Sequence, residues 1–126
     1  MKDFRTLKVW EKSHAIVLAI YKATQSFPKS ELYGITSQIQ RAAVSVPTNI
    51  AEGCGKDSDA ELGRYFKIAM GSSSELEYLL LLAHDLSYLA DDQYNQIQIN
   101  LVEVRKMLNA FIQKLKTNHE QLTAKG

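Results

Sequence analysis

The sequence has little cysteine, proline or glycine, and each shortage excludes a class of structure. Among 126 residues the only cysteine is Cys54, which can form neither an intramolecular disulfide nor a zinc site built from several cysteines. With two prolines and six glycines the chain contains no low-complexity linker that would divide it. We therefore expect one domain over residues 1–126, folded in the reducing cytoplasm.

Long hydrophobic runs are also absent. The most apolar stretch, residues 78–83, is far shorter than the roughly 20 residues that cross a membrane. Residues 1–5 are charged and lack the apolar run of a secretory signal. These features predict a protein that is neither exported nor held in a membrane.

The net charge is only +1, so the chain as a whole has no general attraction for nucleic acid or anionic lipid. The distribution is uneven. Residues 1–56 hold eight Lys/Arg and four Asp/Glu, a net +4. Residues 57–100 hold two Lys/Arg and eight Asp/Glu, a net −6, and residues 101–126 hold five Lys/Arg and two Asp/Glu, a net +3. Opposite charges on different segments favour packing as neighbours or head-to-tail assembly.

What the sequence does contain is helical periodicity, in four segments where apolar residues recur at steps of three and four. The first segment ends at Phe27-Pro28, and the second runs from Ser30 or Tyr33-Gly34 to Gly53-Cys54-Gly55. The third begins at Asp57, Ser58 and Asp59, which are N-cap candidates, and runs to about Leu89. The fourth runs from Asp91 to about Leu115. We expect the tail after about residue 117 to fray. Four helices with short loops predict an all-α, up-down-up-down four-helix bundle.

Two details of the second helix follow from its composition. Pro47 removes one backbone donor and crowds the carbonyl four residues earlier, and because the apolar stripe continues on both sides we expect a kink. The glycines at its end favour a left-handed cap.

The second helix also carries a polar stripe. Its members recur at steps of 3, 4, 4 and 3 and share one face: Gln38, Arg41, Ser45, Asn49 and Glu52. One interpretation is a solvated face. The other is contact with another helix, because the neighbouring residues are small.

Small residues interrupt the third helix at Gly63 and at residues 71–74 (Gly71, Ser72, Ser73, Ser74). A glycine inside a helix costs about 1 kcal/mol relative to alanine, which suggests close approach of another backbone. A local break in the helix is the alternative. Glu75 follows this patch and is a possible ion-pair partner for Arg41.

Catalytic and metal-binding patterns are missing from the sequence. The histidines His14, His84 and His119 fall on different parts of the chain without a second ligand at metal spacing, and no phosphate-binding loop follows a strand. We therefore expect no enzyme activity, no cofactor, no metal and no small-molecule substrate.

Basic side chains offer possible phosphate contacts if folding or assembly brings them together; otherwise they are ordinary surface charges. They are Arg5, Lys8, Lys12, Arg41, Arg64 and Lys67.

Several motifs together resemble one family, the four-helix-bundle proteins encoded in 23S rRNA intervening sequences. The motifs are Phe4, Leu7, Val9-Trp10, Tyr21, Phe27-Pro28, Glu31-x-Tyr33-Gly34, Gln38-x-x-Arg41-Ala42-Ala43, Ser45-Val46-Pro47-x-Asn49-Ile50-Ala51-Glu52-Gly53 and Ile68-Ala69-x-Gly71-Ser72 with Glu75-Leu76. Residues 49–53 are the most specific part, and Gln40 stands where the family often has arginine.

The resemblance implies a ring-like homopentamer without known catalytic activity. The chain is also similar to the accessory protein of diversity-generating retroelements, whose basic pentamer binds nucleic acid and a reverse transcriptase. The expected function is therefore a homo-oligomeric scaffold, and the alternative is an RNA- or DNA-binding accessory protein. Candidate contacts within and between protomers are Gln38, Arg41, Ser45, Asn49, Glu52, Gly71, Ser72 and Glu75; candidate nucleic-acid contacts are Arg5, Lys8, Lys12, Arg64 and Lys67.

Overall fold

A computed structural model describes the backbone of residues 2–125 and the side chains of residues 2–118. Four helices account for most of the chain: α1 Lys8–Thr24, α2 Ile35–Cys54, α3 Asp59–Asp85 and α4 Asp91–Lys125. Short 3-10 turns at Phe4–Thr6 and Lys29–Glu31 precede α1 and α2. Residues 2–125 contain no β-strand, so the predicted all-α class is confirmed.

The helices pack in a square. α2 packs on α3, α3 on α4, and α1 on both α2 and α4, while neither diagonal pair makes contact within the described backbone. Connections as short as residues 55–58 and 86–90 reverse the chain between consecutive helices. This is the predicted up-down-up-down bundle.

The core lies on the axis of the square and takes side chains from all four helices. Ile20 of α1 is 1% exposed, and Ile39 of α2, Phe66 of α3 and Leu101 and Leu108 of α4 are completely buried. Burying a side chain of this size contributes roughly 1.5–3 kcal/mol. The core positions are those of the apolar stripes, which explains why periodicity predicts the helices well.

Ser58 caps α3 as its position predicts, because its Oγ accepts the Glu61 backbone N–H at 3.2 Å. The prediction of a left-handed cap at the end of α2 is wrong. Gly55 has a right-handed φ of −81°, and its N–H bonds back to the Ala51 and Glu52 carbonyls. The chain makes one more right-handed turn there before α3, so no reversal of backbone handedness is needed.

α2 continues without interruption through the buried Pro47, so the helix does not break there. The kink stays a prediction. The backbone of α4 is helical to Lys125, whereas the side chains beyond residue 118, His119 included, lie outside the described residues. Fraying of the tail likewise stays a prediction. None of the helices in the described part is both long and apolar enough to cross a bilayer.

Candidate functional site

The middle of the polar stripe on α2 meets the small residues of α3. Ser45 Oγ lies 2.7 Å from Ser72 Oγ, and Asn49 Nδ2 donates to Ser45 O at 2.8 Å and to Ser45 Oγ at 3.0 Å. Because Ser45 Oγ accepts from the asparagine amide, its own hydrogen is available to Ser72. All three side chains are half-buried, so this part of the stripe joins α2 to α3.

The outer members of the stripe point to solvent. Gln38, Arg41 and Glu52 are exposed, as is Glu75 on α3. Among the described side chains, no ion pair involves Arg41, Glu52 or Glu75. The ion pair between Arg41 and Glu75 that the sequence suggested is therefore not formed within one chain.

Apolar side chains are exposed beside these charges. Val44 of α2 is 37% exposed, and Ile68 and Tyr78 of α3 are 41% and 59% exposed. Ile68, Gly71, Glu75 and Tyr78 follow each other at steps of 3, 4 and 3 and so share one side of α3. We call this surface, with Arg41 and Val44, the α2–α3 face.

Gly71 lies in the centre of the α2–α3 face and is exposed. Apart from its two chain neighbours and the backbone of its own helix, a Cβ at this position would have no heavy atom within 4 Å among the described residues. α3 is continuous here, because Ser73 and Ser74 stay helical and donate their hydroxyls to the Met70 carbonyl at 2.6 and 3.3 Å. The local break is therefore not observed, and no described residue from outside α3 approaches Gly71 closely.

The close approach of two backbones occurs instead at Gly53. A Cβ there would lie 3.0 Å from Tyr65 Cβ and 3.3 Å from the Leu62 carbonyl oxygen. The sequence pattern predicts only a helix stop at Gly53. The signal that could have revealed its packing role is its place on the apolar stripe, three residues after Ile50.

The five predicted nucleic-acid contacts all lie at one end of the bundle, where α1 and α3 begin and α2 and α4 end. We call this the basic end: its residues with described side chains, 2–14, 48–70 and 106–118, hold ten Lys/Arg and six Asp/Glu, a net +4. Residues 15–47 and 71–105, which form the rest of the bundle, hold four Lys/Arg and seven Asp/Glu, a net −3. Folding thus places net positive charge at the basic end and net negative charge over the rest of the bundle.

Three of the five basic residues have acidic partners: Arg5 pairs with Asp3 at 3.2 Å, Lys12 with Glu103 at 2.7 Å and Arg64 with Glu61 at 3.3 Å. The Lys12 pair joins α1 to α4 and lowers the pKa of Glu103. Lys8 and Lys67 make no ion pair among the described side chains. Arg41 lies apart from this end, on the α2–α3 face.

Both histidines with described side chains, His14 and His84, contact neighbouring side chains. His84 Nε2 lies 2.6 Å from Asp91 Oδ1, across the turn between α3 and α4, and His14 stacks on Trp10 with ring centroids 4.9 Å apart. Burial raises the pKa of the Cys54 thiol, which makes the thiol a weaker nucleophile. No group of three metal-ligating side chains occurs among the residues whose side chains are placed.

A family model describing the 23S rRNA-intervening sequence proteins matches residues 5–110. The chain belongs to this family. The match includes α1, α2, α3 and the first part of α4, and it confirms the resemblance carried by the sequence motifs.

A solved structure agrees with this membership in the 23S rRNA-intervening sequence protein family. The chain is similar to a protein of unknown function from the S23 ribosomal protein family of Bacteroides thetaiotaomicron, with a TM-score of 0.74 and 28% identity. The similarity covers 82% of this chain and 97% of that one. No curated protein matches the chain. The comparisons therefore establish the family and the fold, and neither description states an activity.

Proposed function

We propose that this protein is a non-enzymatic cytoplasmic scaffold that assembles into a homo-oligomer, a ring of five, through the α2–α3 face. The observation that carries the proposal is the open position of Gly71. A glycine in the interior of a long helix costs about 1 kcal/mol relative to alanine. Since a Cβ at Gly71 would meet no atom within 4 Å of the described chain, packing inside one protomer gives no reason for the glycine. Close approach of a second protomer supplies one.

The surroundings of Gly71 support contact with another chain. Ile68 and Tyr78 lie on the same side of α3 and are 41% and 59% exposed, so a second protomer would bury apolar surface there. Arg41 and Glu75, exposed on adjacent helices, carry opposite charges and make no ion pair with any described side chain of their own chain. A closed ring joins two different patches of each protomer, so the α2–α3 face would bind a second, different surface of the neighbouring protomer, and the charges of Arg41 and Glu75 would help to select that surface.

Light scattering after size exclusion tests the proposal. The wild-type mass should be five times the 14.2 kDa of one chain. Arg41→Ala and Glu52→Ala should lower the mass, whereas Glu103→Ala should keep it, because Glu103 pairs with Lys12 of its own chain at 2.7 Å. A wild-type protein that is monomeric at micromolar concentration refutes the proposal, as does an equal mass for all three variants.

A second candidate function, binding of RNA or DNA, is favoured by the net charge of +4 at the basic end. Of the five predicted contacts, Lys8 and Lys67 are the available ones, because both are exposed and neither is in an ion pair among the described residues. Lysine contacts to phosphate release counterions, so affinity must fall steeply as salt rises.

Fluorescence anisotropy with a labelled RNA at increasing salt measures this dependence. Lys8→Glu and Lys67→Glu should weaken binding, and Lys22→Glu, which makes the same charge change outside the basic end, should not. Absence of binding at low salt, or an affinity independent of salt, would exclude phosphate contacts.

A further inference from the structure

The basic end contains a groove because α4 is longer than its neighbour α1 and extends beyond the start of α1. α4 has 35 residues and α1 has 17, which correspond to about 52 Å and about 26 Å of helix. Lys12 of α1 contacts Glu103 of the antiparallel α4, so α4 beyond roughly residue 107 runs past the start of α1. The chain before Lys8 turns away towards α2, where the Lys2 N–H bonds to the Cys54 carbonyl at 2.8 Å. Within the described residues, the line of the α1 axis is therefore open alongside residues 107–118 of α4.

A cavity of about 610 Å³ lies at this position. Its α4 wall consists of residues spaced i, i+3, i+4, i+7, i+8 and i+11: Met107, Ala110, Phe111, Lys114, Leu115 and Asn118. This spacing is the one by which a helix packs against a neighbouring helix. Leu7 and Val9 add apolar surface at the near end of the groove. The shape and the spacing fit a helix lying along the continuation of α1.

The charge of the rim defines the character of such a helix. Lys2, Lys8 and Lys114 line the groove together with one acid, Asp59. A smaller cavity of about 360 Å³ shares Asp59 and Leu115 with the groove and adds three basic side chains, Arg64, Lys67 and Lys116. Arg64 is already paired with Glu61, and the five lysines that remain, against one carboxylate, complement a partner with acidic flanks.

Two other occupants match these features less well. A second copy of α4 would bring like charges together, because residues 106–118 contain three lysines and no Asp or Glu. A nucleic acid matches the charge, but the wall formed by Met107, Phe111 and Leu115 is apolar and would be covered only in part by phosphates. We propose that this groove binds an amphipathic helix of a partner protein, with an apolar stripe towards α4 and Asp/Glu along its edges.

A synthetic probe tests the proposal on the full chain. The probe is a fluorescein-labelled peptide of roughly 18 residues, with leucines at i, i+3, i+4 and i+7 and glutamates on the flanks. One control peptide keeps the leucine stripe and replaces every glutamate with lysine. The other keeps the composition and distributes the leucines around the helix. Anisotropy should show the acidic amphipathic peptide binding at least about tenfold more tightly than either control.

Charge reversal of the protein makes the test specific. Lys8→Glu with Lys114→Glu should reverse the preference, so that the lysine peptide binds more tightly than the glutamate peptide. Lys22→Glu with Lys29→Glu, an equal change outside the basic end, should leave the preference unchanged. Ala110→Glu places a carboxylate in the groove at an exposed position, so it should abolish binding while the circular dichroism spectrum stays helical.

Equal affinity for the two charged peptides, or no effect of the Lys8 and Lys114 reversal, would overturn the proposal. Binding of RNA or of anionic vesicles without binding of the acidic peptide would also overturn it. The groove shares no residue with the α2–α3 face, so Arg41→Ala should keep peptide binding even if it changes the oligomer. Failure of the scaffold proposal and failure of this one are thereby distinguishable.

Discussion

Alanine at position 53 is expected to destabilise the bundle although alanine is the better helix former. The gain in helix propensity over glycine is about 1 kcal/mol. Against it, the new Cβ would lie 3.0 Å from Tyr65 Cβ and 3.3 Å from the Leu62 carbonyl oxygen. Both neighbours are fixed to the backbone of α3, so a rotamer change cannot relieve the contact, and α2 and α3 must separate locally.

Overpacking of this kind typically costs about 1–3 kcal/mol. With the propensity gain subtracted, Gly53→Ala should lower the free energy of unfolding by about 1 kcal/mol. Urea unfolding followed by circular dichroism measures the change.

Gly63→Ala is the matched control, because its Cβ would meet Leu115 Cδ1 at an ordinary 3.7 Å. It should raise the free energy of unfolding by up to about 1 kcal/mol. Equal shifts for the two variants would refute the claim that α2 and α3 touch at Gly53.

Three smaller predictions concern single contacts. Ser87 has a left-handed φ of 64°, so Ser87→Gly should raise the free energy of unfolding by roughly 0.5–1 kcal/mol. A lower free energy of unfolding in urea titration would contradict this. Lys12 lowers the pKa of Glu103, so the carboxylate stabilises the fold above its unfolded pKa, and this contribution is lost as pH falls through the lower folded pKa. Glu103→Gln should remove that pH dependence of the free energy of unfolding. Acid unfolding that is the same in the variant and the wild type would show that the ion pair does not contribute. Ser72→Ala removes the partner of Ser45 Oγ and should cost about 1 kcal/mol, whereas unchanged stability would mean that water replaces the contact.

Much of the fold could be predicted because it depends on local pattern. Apolar residues at helical spacing identify the four helices and their buried faces, and Ser58 is a capping residue of the expected type in the expected place. The family motifs add to this pattern without depending on it. In each case the decisive information lies within a few residues of the position concerned.

The candidate site was less predictable because it depends on distances between helices. Gly53 and Gly71 look alike in the sequence, yet a Cβ would clash at the first and meet nothing at the second. Among the described residues, the one with a left-handed φ is Ser87 and not a glycine; it follows α3, and the next N–H, that of Tyr88, bonds back to the Ala83 carbonyl at 2.9 Å. The groove beside α4 arises from the difference in length between α1 and α4, which becomes visible only when the register of the two helices is known.

The central claim is that a second protomer covers the α2–α3 face at Gly71, and one comparison tests it most directly. Gly71→Trp should be tolerated by the single chain, since a Cβ there has no neighbour within 4 Å among the described residues outside its own helix backbone, but its bulk would hold a second protomer away. Light scattering should give the mass of five chains for the wild type and of one chain for the variant, with equal helical content by circular dichroism. A monomeric wild type, or a variant with the same mass as the wild type, would contradict the account.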